Sequence, residues 1–258
     1  SDAAGIMARL VPDGDGFRLP GTKGWVSLCG EADVFLVACR TGTERGAGDV
    51  ALVVVDRRAE GVSAVRLYET MTSAFLPIGE MRLEGVRIEA DAVLAPPGSG
   101  FQAALGAIDV ARTDIAAIAV GLAARALEIA LAHASERPLG RGTVLDLQAI
   151  QFMLADVETD VVAGRLLYEH AAALLGTPGG TVAAAHAKRF NPDMALRAAI
   201  TCAEVLGPYG WLRDASPLPR FIGLAKMLQT VDGTTEIQRV VIGRELARRV
   251  AQTVPGTS

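Results

Sequence analysis

The chain has 258 residues, of which 50% are hydrophobic, and it contains 28 Gly, 12 Pro and 3 Cys. This length and composition exclude a disordered chain and a disulfide-stabilised miniprotein, and they predict one large or two ordinary domains. The net charge of −4 gives no electrostatic attraction to nucleic acids or anionic lipid surfaces. No membrane span is expected, because the longest apolar stretch, residues 115–134, carries Arg125, Glu128 and His133.

The cysteines and histidines lack the paired spacing of a disulfide framework or a metal site. We therefore expect reduced, buried thiols, a cytoplasmic protein and no bound metal. The chain starts without an initiator Met or a signal peptide, which suggests that the sequence begins inside a longer protein. The residues concerned are Cys29, Cys39, Cys202, His133, His170 and His186.

Residues 1–97 have the pattern of an antiparallel β domain. Short runs rich in Val, Leu and Ile are separated by Gly, Pro and Asp, including a turn signal at Pro20-Gly21. We predict a small barrel or sandwich. The predicted strands lie at residues 6–11, 34–38, 50–55 and 62–67.

Residues 98–258 have the pattern of an antiparallel, four-helix-bundle-like domain, which makes the predicted fold class α+β. Spacings of three and four residues predict a buried helix seam, and Thr143-x-x-Asp146 is a predicted cap before it. The seam residues are Leu147, Ile150, Leu154, Val157 and Val161. Four or five helices are predicted, at about residues 101–135, 144–175, 180–206, 216–229 and 235–250.

The segment 231–239 allows two interpretations. Asp232-Gly233 is typical of a turn, and Thr235-x-x-Gln238 predicts a capping box, so structure alone explains these residues. A carboxylate on a loop just before a helix is also how proteins present a general base. The local residues leave both interpretations of Asp232 open.

Five segments, in this order along the chain, resemble the acyl-CoA dehydrogenase superfamily. They are S-D-A-A-G at 1–5, G-T-K-G-W-V-S at 21–27, Q-A-I-Q-F-M-L-A-D at 148–156, L-G-P-Y-G at 206–210 and D-G-T-T-E-I-Q-R at 232–239. Members of the family normally carry an N-terminal helical domain of roughly a hundred residues before the first segment. The resemblance therefore implies a middle β domain at 1–97 and a C-terminal helical domain at 98–258.

The resemblance implies a set of FAD contacts. Trp25-Val26-Ser27 would line the flavin, with the indole over the ring and the Ser27 hydroxyl donating to N5, although a buried strand Trp is the alternative. Arg137 would meet the FAD pyrophosphate of a neighbouring subunit. The other implied contacts are Leu147 and Gln148 near the same cofactor, Glu204 and Gly207 in the phosphate or adenine segment, and Thr234 and Glu236, which could equally be helix-cap residues, toward the FAD of the next chain.

The resemblance also implies the base and the substrate contacts. Asp232 stands where the family usually has a catalytic glutamate, and its side chain is shorter by one methylene, about 1 Å. The other position known for the base in the family holds Ala111 here. The implied substrate contacts are Ser1, Asp109, Arg112 and Gly233, with a frayed chain end for Ser1 and a surface ion pair for Asp109 and Arg112 as the alternatives.

These residues together imply an FAD-dependent acyl-CoA, or other acyl-thioester, dehydrogenase of fatty acid β-oxidation. It would act as a dimer or homotetramer and reduce an electron-transfer flavoprotein. Gly140, Glu204 and Pro208 depart from the family's FAD segments, and Glu204 adds a carboxylate near the phosphates. The alternatives are a nitroalkane-oxidase-like flavoenzyme and a non-catalytic partner subunit of a hetero-oligomeric dehydrogenase.

Overall fold

The computed structural model describes residues 6–42, 47–71 and 76–253. The chain forms two compact units, Ser1–Ala107 and Ile108–Ser258. Antiparallel sheets make up most of the first unit and helices most of the second, so the predicted α+β fold class is confirmed. Ser1, an implied substrate contact, lies outside the described residues.

The described part of the first unit contains two antiparallel sheets that share one core. Its strands are β1 (Val11–Asp13), β2 (Gly16–Ser27), β3 (Val34–Arg40), β4 (Val50–Asp56), β5 (Val62–Leu67), β6 (Ile78–Ile88) and β7 (Val93–Ala95). One sheet has the order β1-β2-β6-β5 and the other the order β3-β4-β7. Apolar side chains from both sheets, among them Leu19, Met81 and Val53, are buried together.

The turn predicted at Pro20-Gly21 is wrong, because β2 continues through it. The pairing of β2 with β6 shifts register between Leu19 and Gly21, so an irregularity takes the place of a turn. Gly21 has φ 148°, and a Cβ there would lie 2.9 Å from the Ala8 Cα. The bulge therefore needs glycine, and glycine here marks a bulge and not a chain reversal.

The strand predicted at residues 6–11 is also wrong in its extent. Arg9 forms only an isolated bridge with Arg40, and regular pairing begins at Val11. The Arg9 N–H donates to the Pro20 carbonyl at 3.2 Å, whereas the Leu10 N–H donates to the Arg40 carbonyl at 2.7 Å. This segment divides its hydrogen bonds between two strands, so it forms no continuous ladder of its own.

The described part of the second unit has a helical core. The helices are α1 (Gly100–Glu136), α2 (Gln148–Ala173), α3 (Gly180–Val205), α4 (Leu218–Leu228) and α5 (Thr235–Thr253), and a short hairpin, β8 (Pro138–Leu139) with β9 (Gly142–Thr143), precedes α2. Side chains of α1 to α4 form one core. Of the predicted α2 seam, Leu154, Val157 and Val161 are buried, whereas Leu147 is exposed and Ile150 is half-buried.

The two predicted caps have different outcomes. Thr143 and Asp146 form the predicted capping box, with the Thr143 N–H donating to the Asp146 carboxylate at 2.7 Å. This box caps the start of a short 3-10 helix that precedes α2, and not α2 itself. The capping box predicted at Thr235 is wrong by one residue. The hydroxyl of Thr234 accepts from the Ile237 N–H at 3.4 Å, because the turn that precedes α5 ends one residue earlier than the sequence pattern indicates.

Helix α1 corrects the expectation that no segment could span a membrane. By length and composition alone it could cross a bilayer, since its most apolar 18-residue window carries at most two charged residues. This is weak support for a span, because the central helix of a bundle passes the same test. Its alanines at spacings of three and four, such as Ala119, Ala123 and Ala126, are fully buried in the helical core.

The three cysteines are free and buried, as predicted. Burial raises the pKa of the Cys39 thiol to about 11 and that of the Cys202 thiol to about 12. These thiols are therefore protonated and unreactive at neutral pH.

Candidate functional site

Asp232 lies at the tip of the turn between α4 and α5. The turn places both Asp232, with φ 52°, and Gly233, with φ 92°, in the left-handed region. Aspartate tolerates this conformation better than most residues. At position 233 glycine is favoured both by its positive φ and by the lack of space for a side chain. A Cβ on Gly233 would lie 2.9 Å from Gln238 Nε2 and 3.4 Å from Arg112 Nη2. The sequence Asp-Gly thus fixes where the carboxylate leaves the backbone.

Arg112 and Asp109, on α1, join this turn to two other helices. Arg112 Nη1 donates to Asp109 at 2.9 Å, and its Nε donates to the Asp232 carbonyl at 3.3 Å. The Thr181 hydroxyl, on α3, donates to the other Asp109 oxygen at 2.6 Å. The Arg112 and Asp109 side chains are only 9% and 19% exposed, so their interpretation as a surface ion pair is wrong.

Two buried polar side chains complete the surroundings of the turn. Gln238 is fully buried, and its Nε2 donates to the carbonyls of Gly233 at 3.0 Å and Thr234 at 3.4 Å. Lys188, on α3, is also fully buried and donates to the Leu228 carbonyl at 2.6 Å. The turn therefore rests on an amide and two cations, Lys188 and Arg112, taken from three different helices.

The electrostatics of this cluster act on the Asp232 carboxyl group. Although Asp232 is exposed as a whole residue, desolvation by the surrounding protein raises the pKa of its carboxyl above the ordinary value. The charges of Lys188 and Arg112 oppose this effect, and that of Asp114 adds to it. A carboxylate with a raised pKa is a stronger base, and the positive charges of Lys188 and Arg112 favour its ionised form.

Trp25 lies on a bulge of β2 in the first unit. It has φ 59°, and the pairing with β6 shifts register between Lys23 and Val26. The Trp25 side chain is 76% exposed, so its interpretation as a buried strand residue is wrong. Its indole packs against Tyr68, with 4.8 Å between ring centroids, and the Arg66 guanidinium lies 5.4 Å from the Tyr68 centroid. This exposed aromatic surface, held in an unfavourable backbone conformation, is a candidate platform for a planar ring.

Arg137, directly after the end of α1, lines a groove of about 470 Å³. Its guanidinium lies 5.6 Å from the ring centroid of Tyr209, and the His133 ring lies 5.8 Å from the same centroid. His133 Nε2 is buried and has no hydrogen-bond partner among the described residues. A groove with a cation, an aromatic face and an unpaired ring nitrogen fits a base and phosphate groups. We call His133, Arg137 and Tyr209 the Arg137 groove.

The structure separates several other implied cofactor contacts from the Arg137 groove. Leu147 and Gln148 are exposed at the start of α2, and neither lines the groove. Glu204 is exposed and lines a different groove, beside Asp156 and Asp160. The remaining contacts lie at the end of a strand, in a turn or at the start of a helix: Val26 and Ser27 at the end of β2, Gly207 with φ 56°, Thr234 as the cap of α5, and Glu236 in its first turn.

The sequence does not identify three residues of the Asp232 turn and the Arg137 groove. The burial of Lys188 could not be predicted, because a lysine in an Ala-rich helix is expected to face solvent. His133 was noticed only as a single histidine without a metal-ligand partner. Tyr209 stands inside the L-G-P-Y-G segment, and its position beside Arg137 depends on how α1 and the turn after α3 pack.

Comparison with known proteins defines the family. The family model described as acyl-CoA dehydrogenase, middle domain, matches residues 1–86, and that described as acyl-CoA dehydrogenase, C-terminal domain, matches residues 98–247. A probable acyl-CoA dehydrogenase of Mycobacterium tuberculosis is 35% identical over 96% of this chain and 64% of its own length. The chain belongs to the acyl-CoA dehydrogenase family.

Two solved structures show the same fold at close similarity. Butyryl-CoA dehydrogenase from Megasphaera elsdenii superposes with a TM-score of 0.91 at 29% identity, covering 95% of this chain and 64% of that one. A chain from a structural study of the electron transferring flavoprotein of Acidaminococcus fermentans gives a TM-score of 0.92 at 30% identity, covering 96% and 65%. The present chain thus spans about 64% of the length of the first curated relatives that it matches.

Proposed function

We propose that this chain is the catalytic part of an FAD-dependent acyl-CoA dehydrogenase in which Asp232 is the base. The observation that carries the proposal is the Asp232 turn itself: a carboxylate with a raised pKa, on a turn that requires glycine, supported by two buried cations. Membership of the family supports an acyl thioester as the substrate. The sequence alternative that Asp232 only forms a turn does not account for the buried Lys188 and Arg112.

Residues of each unit are chemically suited to a part of FAD. The exposed, strained Trp25 offers a face for the flavin ring, with the Ser27 hydroxyl two residues away in sequence. The Arg137 groove offers a guanidinium and an aromatic ring for the pyrophosphate and the base, and the unpaired His133 Nε2 has hydrogen-bonding capacity left for a ligand. When bound, FAD would supply the acceptor for the hydride that leaves the β-carbon.

The chain's own residues would perform the proton chemistry. The Asp232 carboxylate removes the α-proton of the acyl thioester, and the carboxyl group then holds that proton. Arg112 Nε donates a hydrogen bond to the Asp232 carbonyl and so holds the backbone of Asp232 in place. The carboxylate therefore keeps its direction when the substrate binds. Gly233, without a side chain, leaves room for the Gln238 amide that supports the turn. Excluding water on substrate binding raises the basicity of Asp232 further.

The partners follow from the same proposal. An acyl-CoA or another acyl thioester is the substrate, and an electron-transfer flavoprotein accepts the electrons. The similarity to a chain studied with the electron transferring flavoprotein of Acidaminococcus fermentans supports this acceptor. A dimer or tetramer is expected, because the implied FAD contacts of Arg137, Thr234 and Glu236 come from neighbouring chains.

The proposal is tested by exchange of the substrate α-proton in D₂O, followed by proton NMR on the flavin-loaded full-length protein. The wild type should exchange the α-proton of a bound acyl-CoA, and Asp232→Asn should lower the rate by at least about a hundredfold. Asp214→Asn is the control, because Asp214 is an exposed aspartate that is not among the charges acting on Asp232. Equal exchange in wild type and Asp232→Asn would remove Asp232 as the base. A full-length protein that binds no flavin would instead support the non-catalytic partner subunit.

A further inference from the structure

Lys188 is a fully buried ionisable group that takes no direct part in the proposed proton transfer. It is the largest fully buried side chain of the described residues, in the middle of α3. Lysine is almost never fully buried unless it is paired, because removing an ammonium group from water is costly. Its retention in an alanine-rich helix therefore calls for a specific partner.

The first partner of Lys188 is the end of α4. Lys188 Nζ donates to the carbonyl of Leu228 at 2.6 Å, and Leu228 is the last residue of that helix. The final carbonyls of a helix lack partners in the helix and carry its negative dipole end, so an ammonium group is favourable there. The Asp232 turn begins at the next residue, Gln229. Lys188 thus fixes the point from which the turn leaves α4.

The second partner is a charge. Four charged residues act on the Lys188 ammonium group: Arg112 of α1 repels it, and Asp232, Asp193 of α3 and Glu236 of α5 attract it, with Asp232 giving the largest attraction. Asp193 already has Arg189 at 2.6 Å, and Glu236 has Arg239 at 3.3 Å. The Asp232 carboxylate is therefore the anion that depends most on Lys188.

We propose that Lys188 is a positioning residue for Asp232, whose buried ammonium group both holds the end of α4 and stabilises the ionised carboxylate of the candidate base. The inference rests on the proposed function only in that it takes Asp232 to be the base. The coupling between Lys188 and Asp232 is a property of the folded chain and is measurable without substrate or flavin.

The sign of the coupling follows from the charges. Burial lowers the pKa of Lys188 to about 8, and the attraction of Asp232 opposes that decrease. At pH 7 Lys188 is therefore mostly protonated and stabilises the Asp232 carboxylate. Above pH 8 the ammonium group loses its proton and this stabilisation disappears. Arg112 and Asp114 are the other charges that act on Asp232.

The test is carbon-13 NMR of the full-length protein with labelled aspartate carboxyl carbons, in which Asp232→Asn identifies the Asp232 resonance. In the wild type this resonance should titrate once at its own pKa and shift a second time near pH 8, as Lys188 loses its proton. In Lys188→Met the second shift should be absent and the pKa of Asp232 should rise by roughly one unit. Lys226→Met is the control, because Lys226 is an exposed lysine of α4. It should leave both steps unchanged.

The outcomes separate this inference from the proposed function. A wild-type Asp232 resonance without a second step near pH 8 overturns the inference, even if Lys188→Met does not fold. An unchanged pKa of Asp232 in a folded Lys188→Met protein overturns it as well. If the coupling is found but Asp232→Asn retains α-proton exchange, the coupling stands and the proposed function fails. If α-proton exchange requires Asp232 but the titration of Asp232 is the same with and without Lys188, the proposed function stands and the coupling fails.

Discussion

Trp25 and Asp232 are both held in the left-handed region, with φ of 59° and 52°, but their surroundings differ. Trp25 lies on a bulge of β2, is 76% exposed and packs against the half-buried Tyr68 ring. Asp232 lies on a turn supported by Arg112, Gln238 and Lys188, all of them buried. The strain at Trp25 is balanced by an aromatic contact at the surface, and the strain at Asp232 by buried polar groups.

This difference indicates how precisely each position is held. An exposed aromatic contact contributes about 1 kcal/mol and leaves the ring free to adjust to a ligand. Buried charges are costly when their partners are removed, so the turn of Asp232 has few alternative arrangements. A base needs a fixed position, whereas a ring that covers a cofactor tolerates adjustment. The four predictions that follow test this contrast, from the largest expected effect to the smallest.

Arg112→Met should produce the largest loss of stability. It leaves the partly buried Asp109 carboxylate without its ion-pair partner and the Asp232 carbonyl without a donor, so the free energy of unfolding should fall by about 3 kcal/mol. Arg125→Met is the matched control, because Arg125 forms the same i,i+3 pair on α1, with Glu128, at an exposed position. Its effect should stay below about 1 kcal/mol. Equal losses in chemical denaturation would show that the Asp232 turn has no special support.

Gly233→Ala should disturb the turn through its backbone. The added Cβ meets Gln238 Nε2 at 2.9 Å, and φ 92° is unfavourable for alanine, so the expected loss of stability is about 2 kcal/mol. Proton exchange by Asp232 should slow by at least about tenfold. Gly243→Ala, on α5, is the control, because a Cβ there meets no atom within 4 Å. That variant should be unchanged or more stable, and a loss as large as that of Gly233→Ala would contradict the account.

Tyr209→Leu should weaken nucleotide binding without unfolding the chain. It removes the ring beside the Arg137 guanidinium, so the affinity for FAD and for ADP should fall about fivefold, equivalent to ~1 kcal/mol. FMN lacks the adenylate half and should bind as before. Trp211→Leu is the control, because Trp211 is an exposed aromatic residue nearby that does not line the groove. Isothermal titration calorimetry measures all three ligands, and an equal loss for FMN would contradict this assignment of the groove.

Trp25→Asn should have the smallest effect on stability. Asparagine tolerates the left-handed region, which offsets the lost contact with Tyr68, so the free energy of unfolding should change by less than about 1 kcal/mol. Flavin affinity should fall nevertheless, whereas Trp25→Phe, which keeps a ring, should retain most of it. Fluorescence titration with FAD measures this difference. A large loss of stability would mean that Trp25 is a structural residue.

The fold was largely predictable from local patterns, and the errors arise where strand pairing or a preceding turn overrides those patterns. Alternating apolar runs correctly predict β3, β4 and β5, and Gly and Pro breaks correctly separate the helices. The course of β2 was not predictable, because Pro20-Gly21 has the composition of a turn and the bulge depends on pairing with β6. The cap of α5 shifted by one residue for a similar reason, since the preceding turn decides where the helix begins.

The site was predictable only where the residues form a motif. Asp232-Gly233 and Trp25-Val26-Ser27 could be identified because their chemistry is contiguous in sequence. The support of Asp232 could not, because Lys188 and Arg112 come from helices that are 44 and 120 residues away along the chain and meet the turn only through packing. The burial that makes Lys188 informative is invisible in a sequence where lysine is normally exposed.

The most direct test of the central claim is anaerobic addition of acyl-CoA substrates to the flavin-loaded full-length protein, followed by the flavin absorbance. In the wild type, one class of acyl-CoA should bleach the flavin band, and a substrate with deuterium at the α-carbon should bleach it more slowly. Asp232→Asn should bind the same flavin and the same acyl-CoA without bleaching. Bleaching of Asp232→Asn at the wild-type rate would contradict the assignment of Asp232 as the base.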